Sequence, residues 1–185
     1  MLVILPDTNI LLSARLLDLV MRSHAAGLID VAWCDELLDE FSRKLVEKRQ
    51  WSPERAEGLV RRFMAAAPDG RIDPVLYLHL IPHMHGHDAD DHVLSAAARG
   101  GGVDVILTEN IDDFPDQDVG PDCIAMTASQ VFAHLAELYP TDLAEVVRRS
   151  SANLTRPPLS PLDILDRLAA VGLVEMADLV RPHLC

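Results

Sequence analysis

Residues 2–9, with the sequence LVILPDTN, decide the fold, because an apolar strand ends there and an acidic helix start follows at once. Residues 103–107, VDVIL, form a second run that is apolar except for Asp104, and an acidic loop, TENIDDFP, follows it at residues 108–115. Short apolar runs of this kind are typical of strands buried in a parallel sheet. The carboxyl ends of parallel strands open on one crevice. We therefore expect the acids that follow both strands to lie close together.

Outside these two runs, helical and extended segments alternate as far as residue 138, and the pattern is purely helical afterwards. This alternation predicts an α/β fold, a three-layer α/β/α sandwich with a central parallel sheet. Residues 1–140 are predicted to form this domain and residues 141–185 an all-helical C-terminal extension, in which Arg156-Pro157-Pro158 separates two helices. The predicted helices cover residues 9–26, 34–49, 53–67, 90–99, 127–138, 141–151, 161–171 and 174–184, and further short strands cover residues 28–33 and 123–126.

The composition is that of one globular domain with an appendage. Of the 185 residues, 49% are hydrophobic and only 4% aromatic, which predicts an aliphatic core. No apolar run is long enough to cross a bilayer, and residues 1–5 meet Pro6-Asp7 too early for a signal peptide. Cys34, Cys123 and Cys185 show neither disulfide nor zinc spacing and fit a reducing compartment. We therefore expect a cytoplasmic protein.

The net charge of −13 counts against indiscriminate binding of nucleic acid, since phosphate affinity comes from Lys and Arg. The charges are unevenly spread, however, and residues 104–122 hold seven acids and no base. Seven of the sixteen basic residues fall in one helical stretch: Arg43, Lys44, Lys48, Arg49, Arg55, Arg61 and Arg62. Local fields decide where a polyanion docks. This stretch is a candidate nucleic-acid surface, and an ordinary solvated helix surface is the alternative.

Four acidic positions, Asp7, Glu40, Asp90 and Asp113, are the candidate catalytic residues. Carboxylates gathered in one crevice repel one another unless a cation neutralises them. Hard oxygen ligands in that number suit Mg²⁺ or Mn²⁺. For Asp7 the alternative is a plain helix N-cap, and for Asp113 a solvated loop. Phe114-Pro115 favours a loop that folds back and holds Asp113 in place.

Glu40 is preferred among the acids of its helix on geometric grounds. The buried face of this helix is predicted to consist of Leu37, Leu38, Phe41 and Leu45. At 3.6 residues per turn, Glu40 lies about 115° from the centre of that face, whereas Glu36 and Asp39 lie about 145–155° away. Asp35 lies equally near, but at the helix start it is explained by the helix dipole. Glu40 is therefore expected to reach into a cleft.

Asp90 is preferred to Asp91 by the same kind of argument. The apolar residues expected to face the sheet from this helix are Val93, Leu94 and Ala97. Asp90 precedes them by three, four and seven residues and lies on their face, whereas Asp91 aligns with Ser95 and Ala98. Capping of the helix is the alternative for either carboxylate.

Five histidines form a cluster, His79, His83, His85, His87 and His92. The alternating three at residues 83–87 could in principle bind zinc. This stretch has no cysteine and no predicted rigid element, so a variable or pH-sensitive loop is the preferred interpretation. Nucleophile elbows and phosphate-binding glycine loops are missing from the sequence.

With these motifs in order, the sequence resembles PIN-domain ribonucleases, and in particular the VapC toxins of VapBC toxin–antitoxin pairs. The resemblance covers residues 1–140, and residues 156–173 resemble a helical extension found in one subgroup of these toxins. Four strings carry it: ILPDTNIL at residues 4–11, WCDELLDE at 33–40, DADDHVLSAAA at 88–98, and DVILTENIDDFP at 104–115.

The resemblance implies metal-binding acids at Asp7, Glu40, Asp90 and Asp113, with Asn9, Thr108, Asn110 and Asp91 as supporting polar residues. It implies Mg²⁺- or Mn²⁺-dependent hydrolysis of RNA to 5′-phosphate and 3′-hydroxyl ends, and a cognate antitoxin as partner. A homodimer is left open. Two positions depart from the pattern: Cys34 replaces the subgroup's usual Ser and weakens an N-cap, and Glu109 adds a negative charge beside the site.

Two alternatives to an endoribonuclease toxin remain at this point. One is a housekeeping nuclease for RNA or DNA processing, which a neighbouring antitoxin gene would exclude. The other is a non-catalytic PIN-like module that binds RNA or protein, and the complete set of acids argues against it.

Overall fold

The computed structural model describes residues 1–154 and 157–184, and these residues form one parallel sheet surrounded by helices. The strands are β1 Leu2–Pro6, β2 Ile29–Val31, β3 Val105–Leu107 and β4 Ile124–Met126, in the order β2-β1-β3-β4. The helices are α1 Thr8–Leu12, α2 Ala14–Ala25, α3 Asp35–Arg49, α4 Pro53–Ala66, α5 Pro74–Tyr77, α6 His92–Gly101, α7 Asp116–Val119, α8 Ala128–Leu138, α9 Pro140–Asn153, α10 Pro161–Ala169 and α11 Val174–Val180. The predicted α/β fold with a helical C-terminal region is confirmed.

The strand order creates a crevice between β1 and β3. Strand β1 pairs in parallel with β2 on one side and with β3 on the other. The chain therefore leaves β1 in one direction and later returns across it, and right-handed crossovers place the two sets of connecting helices on opposite faces. Ligands of such sheets bind outside the carboxyl ends of the strands at this switch point. Asp7 and Thr108 are the residues that follow β1 and β3 there.

Full burial of the carboxyl-terminal parts of the two central strands fixes that position. Ile4, Leu5, Ile106 and Leu107 have no exposed surface, and burying each such side chain contributes about 1.5–3 kcal/mol. The core is aliphatic, as the composition predicts. Within the described residues, no helix combines the length and the apolar character needed to cross a membrane.

The helices of the extension pack directly on the α/β domain. α9 packs on α2 and α8, and α11 packs most extensively on α8. Asp18 of α2 joins the two parts, because it accepts a hydrogen bond from the Ser150 hydroxyl at 2.6 Å and pairs with Arg22 at 2.8 Å. The boundary at residue 140 remains a prediction.

Two predicted helices differ from the structure in ways that matter for the site. The helix predicted over residues 9–26 is broken at Ser13, whose hydroxyl caps α2. The helix predicted to start near Asp90 instead begins at His92, after a 3₁₀ turn at Ala89–Asp91. Arg156 of the predicted break and Cys185 lie outside the described residues.

Candidate active site

Asp7 is fixed at the end of β1 with its carboxylate almost fully buried. Its N–H donates to the Leu107 carbonyl at 2.9 Å, and its side chain is the N-cap of α1. Thr108, itself fully buried, donates its hydroxyl to Asp7 Oδ2 at 3.0 Å. Burial raises the pKa of Asp7, and the hydrogen bond from Thr108 offsets only part of this. The structure thus holds a desolvated carboxylate at the predicted crevice.

Glu40 of α3 reaches the same place from the side. The Thr8 hydroxyl, next in the chain to Asp7, donates to Glu40 Oε2, and Lys44 Nζ lies 2.7 Å from Glu40 Oε1. Burial alone would raise the pKa of Glu40, but the bonds from Lys44 and Thr8 outweigh it and lower this pKa. Glu40 is therefore ionised, and its charge contributes to the raised pKa of Asp7.

Asp91 is the acid on which the other charges converge. Its pKa is raised to about 7, first by burial and then by repulsion from nearby Asp7, Asp88, Asp113 and Glu40. Carboxylates that close to one another cannot all ionise without cost. The structure therefore brings Asp7, Glu40 and Asp113 near Asp91, and the fourth neighbour, Asp88, is exposed and accepts a hydrogen bond from the Asp90 N–H at 3.0 Å.

Asp90 lies on the side of Val93 and Leu94, as its helical spacing predicts, and these three residues line one cleft with Glu40. The Asp90 side chain is exposed, and this cleft of about 160 Å³ lies between α3 and α6, with Glu36, Glu40 and Arg43 on the other wall. Ser95 and Ala98, the residues aligned with Asp91, are 0% and 1% exposed. The inner face of α6 thus includes the side predicted to point outward. Asp90 lies at the rim beside Glu40, and Asp91 faces the other acids.

Asp113 lies in a 3₁₀ turn, Ile111–Asp113, that follows β3. It is half-buried, and the neighbouring Phe114 is only 3% exposed, so the loop folds back as its sequence predicts. Asn110 is exposed, and its N–H donates to Thr108 Oγ1 at 3.0 Å. Asn9 is also exposed and lies 3.4 Å from Asp7 through its amide nitrogen.

The donor set fits a hard divalent cation by its chemistry. All four converging groups are carboxylates, which Mg²⁺ and Mn²⁺ prefer, and their mutual repulsion is what a cation would relieve. Within the described residues, however, no three His, Cys, Asp or Glu side chains are already close enough to hold a metal ion together. The same finding covers the histidine loop, where zinc was the less favoured alternative. The carboxylates would have to draw inward around a cation.

Asp118 is a functional candidate that sequence reasoning missed. It is fully buried at the end of α7, where its carboxylate accepts hydrogen bonds from the N–H groups of His85 and Gly86 at 2.6 and 2.7 Å. Its donors are backbone groups more than thirty residues away in the chain. No side-chain pattern around Asp118 could have distinguished it from the exposed acids beside it.

The two departures from the family pattern have structural outcomes. Among the described contacts, Cys34 makes no side-chain capping bond at the start of α3, as predicted, and burial raises the pKa of its thiol to about 12. Glu109 turns toward α8 and accepts a hydrogen bond from the Ala128 N–H at 3.2 Å. Its negative charge therefore lies at a helix N-terminus, where it is favourable.

Comparison with family models gives the identity of the fold. A model described as PIN domain matches residues 3–112, more than half of the chain. The chain belongs to the PIN domain family. A second model, described as VapC50 C-terminal domain, matches residues 130–182. Together the two matches correspond to a VapC-like PIN toxin with a C-terminal extension, as the sequence predicted.

The matches also bear on the extent of the PIN domain and its extension. The PIN match includes Asp7, Glu40 and Asp91 and ends one residue before Asp113. The extension match begins inside α8, ten residues before the predicted boundary at residue 140. PIN domains are generally nucleases, and the two matches together suggest a VapC-type nuclease. Comparisons with curated proteins and with solved structures found no match.

Proposed function

We propose that this PIN domain is a Mg²⁺- or Mn²⁺-dependent endoribonuclease and the toxin of a toxin–antitoxin pair. The observation that carries the proposal is the convergence of Asp7, Glu40, Asp91 and Asp113 at the carboxyl ends of β1 and β3, where burial and then repulsion from the neighbouring acids raise the pKa of Asp91 to about 7. Strongly perturbed carboxylates in a crevice cost stability and are typical of functional sites. Asp90, at the rim, is the alternative to Asp91 as a ligand.

Each residue of the candidate site has a separate role in this proposal. A divalent cation held by the four carboxylates would lower the pKa of a water molecule and neutralise charge that develops on the phosphate. Asp7 keeps its position because Thr108 and the Asp7 backbone N–H anchor it. Glu40, held ionised by Lys44 and Thr8, can accept a hydrogen bond from the attacking water and orient it.

Basic residues beside the acids support RNA as the substrate. Lys44 and Lys48 follow Glu40 at intervals of four and therefore lie along one side of α3. Just after the C-terminus of α3, the Arg55 guanidinium lies 3.7 Å from the centre of the Trp51 ring. A cationic path with a stacking platform is a common way to hold single-stranded nucleic acid. Because water rather than the 2′-hydroxyl is the nucleophile, no 2′,3′-cyclic phosphate should form, and we expect the 3′ oxygen to leave and the products to carry 5′-phosphate and 3′-hydroxyl ends.

The proposed antitoxin is a partner with a basic segment. Residues 104–122, which include Asp113, hold seven acids and no base. An Arg or Lys side chain placed among these carboxylates would relieve their repulsion in place of a cation. Co-expression with the product of a neighbouring gene should then rescue the growth of cells that produce this protein. Harmless expression of the active enzyme alone would instead favour a housekeeping nuclease.

The test of catalysis is Asp7→Asn, compared with Asp112→Asn as the matched control. Asp112 is an exposed acid of the same loop as Asp113. We expect Asp7→Asn to abolish RNA cleavage, EDTA to abolish it in the wild type, and Asp112→Asn to cleave normally. Circular dichroism and thermal unfolding would show that Asp7→Asn is folded. Cleavage at the wild-type rate by Asp7→Asn, or in EDTA, would refute the metal mechanism.

A further inference from the structure

Asp118 is the centre of a hydrogen-bond network behind the candidate site. One carboxylate oxygen accepts from the backbone N–H groups of His85 and Gly86, and the other lies 3.1 Å from His85 Nδ1. Burial alone would raise the pKa of Asp118, but these three donors outweigh it and lower this pKa. Asp118 is therefore an ionised, fully buried carboxylate whose partners all belong to one short loop.

That loop contacts the chain segments that carry Asp91 and Asp113. The Gly86 carbonyl lies 2.9 Å from His92 Nε2, which must donate because a carbonyl oxygen can only accept. His92 follows Asp91 directly and begins α6. On its other side Gly86 packs against the Asp113 backbone, so closely that a methyl group at residue 86 would lie 2.7 Å from the Asp113 carbonyl oxygen.

We propose that Asp118 is a positioning residue for the carboxylates of Asp91 and Asp113, acting through Gly86 and His92. This inference rests on the proposed metal-dependent function. Both acids lie in 3₁₀ turns, Ala89–Asp91 and Ile111–Asp113, which few internal hydrogen bonds stabilise. Asp118 holds the loop at residues 85–86 between these turns and so fixes their separation. Residues that hold the ligand-bearing segments in place without touching the metal typically change metal affinity when they are lost.

A purely structural role for Asp118 is the competing explanation, and a set of variants of the full chain separates the two. Asp118→Ala removes the acceptor for all three donors. Asp118→Asn keeps an oxygen that can accept from both backbone N–H groups. Gly86→Ala leaves Asp118 intact but pushes on the Asp113 carbonyl. Asp18→Ala, the control, removes another carboxylate that joins two parts of the fold, through the hydrogen bond from Ser150.

The measurement is the Kd for Mn²⁺ by titration calorimetry, at a temperature where every variant is folded. We expect Asp118→Ala and Gly86→Ala to raise this Kd about 10–100-fold. Asp118→Asn should stay within about threefold of the wild type, because most of the acceptor geometry is kept. Asp18→Ala should lower the Tm and leave the Kd unchanged.

The outcomes distinguish this inference from the proposed function. If the wild type binds Mn²⁺ and cleaves RNA while Asp118→Ala and Gly86→Ala bind Mn²⁺ equally well, the positioning role is refuted and the function stands. If the wild type binds no Mn²⁺, both are refuted. Should Asp118→Ala fail to fold, Gly86→Ala decides: wild-type Mn²⁺ affinity in that variant refutes the role, and a weakened affinity supports it.

Discussion

The two halves of the candidate site are held in different ways. Asp7 and Glu40 each accept a hydrogen bond from a fully buried threonine, Thr108 and Thr8, that belongs to or adjoins a regular element. Asp91 and Asp113 lie instead in 3₁₀ turns. We call Asp7 and Glu40 with their threonines the fixed half of the site, and Asp91 and Asp113 the turn half. A carboxylate fixed by a buried hydroxyl keeps its place without a ligand. A carboxylate on a short turn can move, so we expect the turn half to complete the site when a cation binds.

The largest expected effect concerns the choice between the two neighbouring acids of the turn half. Asp91→Asn should remove most RNA cleavage, because Asp91 faces Asp7 and Glu40. Asp90→Asn should retain activity within about tenfold, since Asp90 lies exposed at the rim. Cleavage rates and Mn²⁺ affinities of the two variants, measured under identical conditions, check this.

The reverse result would confirm the ligand predicted from helical spacing. If Asp90→Asn is inactive while Asp91→Asn cleaves, the 3₁₀ turn rearranges when the cation binds, and Asp90 is the ligand. The turn half would then be adjustable in a second respect, since binding of the cation would also decide which of the two acids points into the site.

The second prediction tests the fixed half through its two threonines. Thr108→Val removes, at nearly constant volume, the hydroxyl that donates to Asp7 and accepts from the Asn110 N–H, and we expect RNA cleavage to fall about 10–100-fold. Thr8→Val should cost less, about 10-fold at most, because Lys44 also holds Glu40. The ratio of kcat/KM between the two variants is the measurement. Equal losses would contradict the inference that Glu40 has a second anchor.

The same contrast explains what could be predicted from the sequence. Strand β1 and the acid that ends it follow from an apolar run that stops at Pro6-Asp7, and helical periodicity selects Glu40 from its neighbours. Asp91 could not be selected in this way, because α6 is buried over Leu94–Ala98 on all sides and a 3₁₀ turn precedes it. Periodicity distinguishes faces only in a helix that has an exposed one.

Asp118 marks a second limit of sequence reasoning. Its partners are backbone N–H groups, which every residue except proline carries. Their position depends on the path of a distant loop rather than on any residue type. The interior of the sheet is predictable from the sequence because burial constrains residue type. The turn half is not predictable in this way, since backbone geometry rather than residue type determines its position.

The third prediction concerns pH and the turn half. The pKa of Asp91 is raised from 3.8 to about 7 in the folded state, so the folded protein binds more protons than the unfolded chain between these values. The free energy of unfolding of the metal-free protein should therefore fall as pH rises from about 4 to 7. Mn²⁺ affinity should change in the opposite direction, by about tenfold per pH unit below 7, because the proton must leave Asp91.

Thermal unfolding of the metal-free wild type and Asp91→Asn across this range provides the check. The free energy of unfolding of Asp91→Asn should fall less with rising pH than that of the wild type. The fall that remains should come from Asp7, whose pKa is also raised. Identical profiles of unfolding free energy against pH for the two proteins would show that Asp91 is not the group with the raised pKa.

The smallest expected effect concerns Lys44, which belongs to the fixed half and faces both the acids and the proposed RNA. In the metal-free protein its ammonium group lies 2.7 Å from Glu40 Oε1 and occupies an oxygen that a cation would use. Lys44→Gln removes this competitor and leaves more negative charge at the site, so Mn²⁺ should bind about 2–5-fold more tightly, the range expected for one partly exposed ion pair. The same change removes a positive charge from the path along α3, so the KM for RNA should rise. We expect the Kd for Mn²⁺ to fall and the KM for RNA to rise in Lys44→Gln, whereas Lys48→Gln should change only KM. This result would show that the Lys44 ammonium group moves from Glu40 to an RNA phosphate when the cation binds. A parallel loss of both affinities would show that Lys44 only supports the fold of α3.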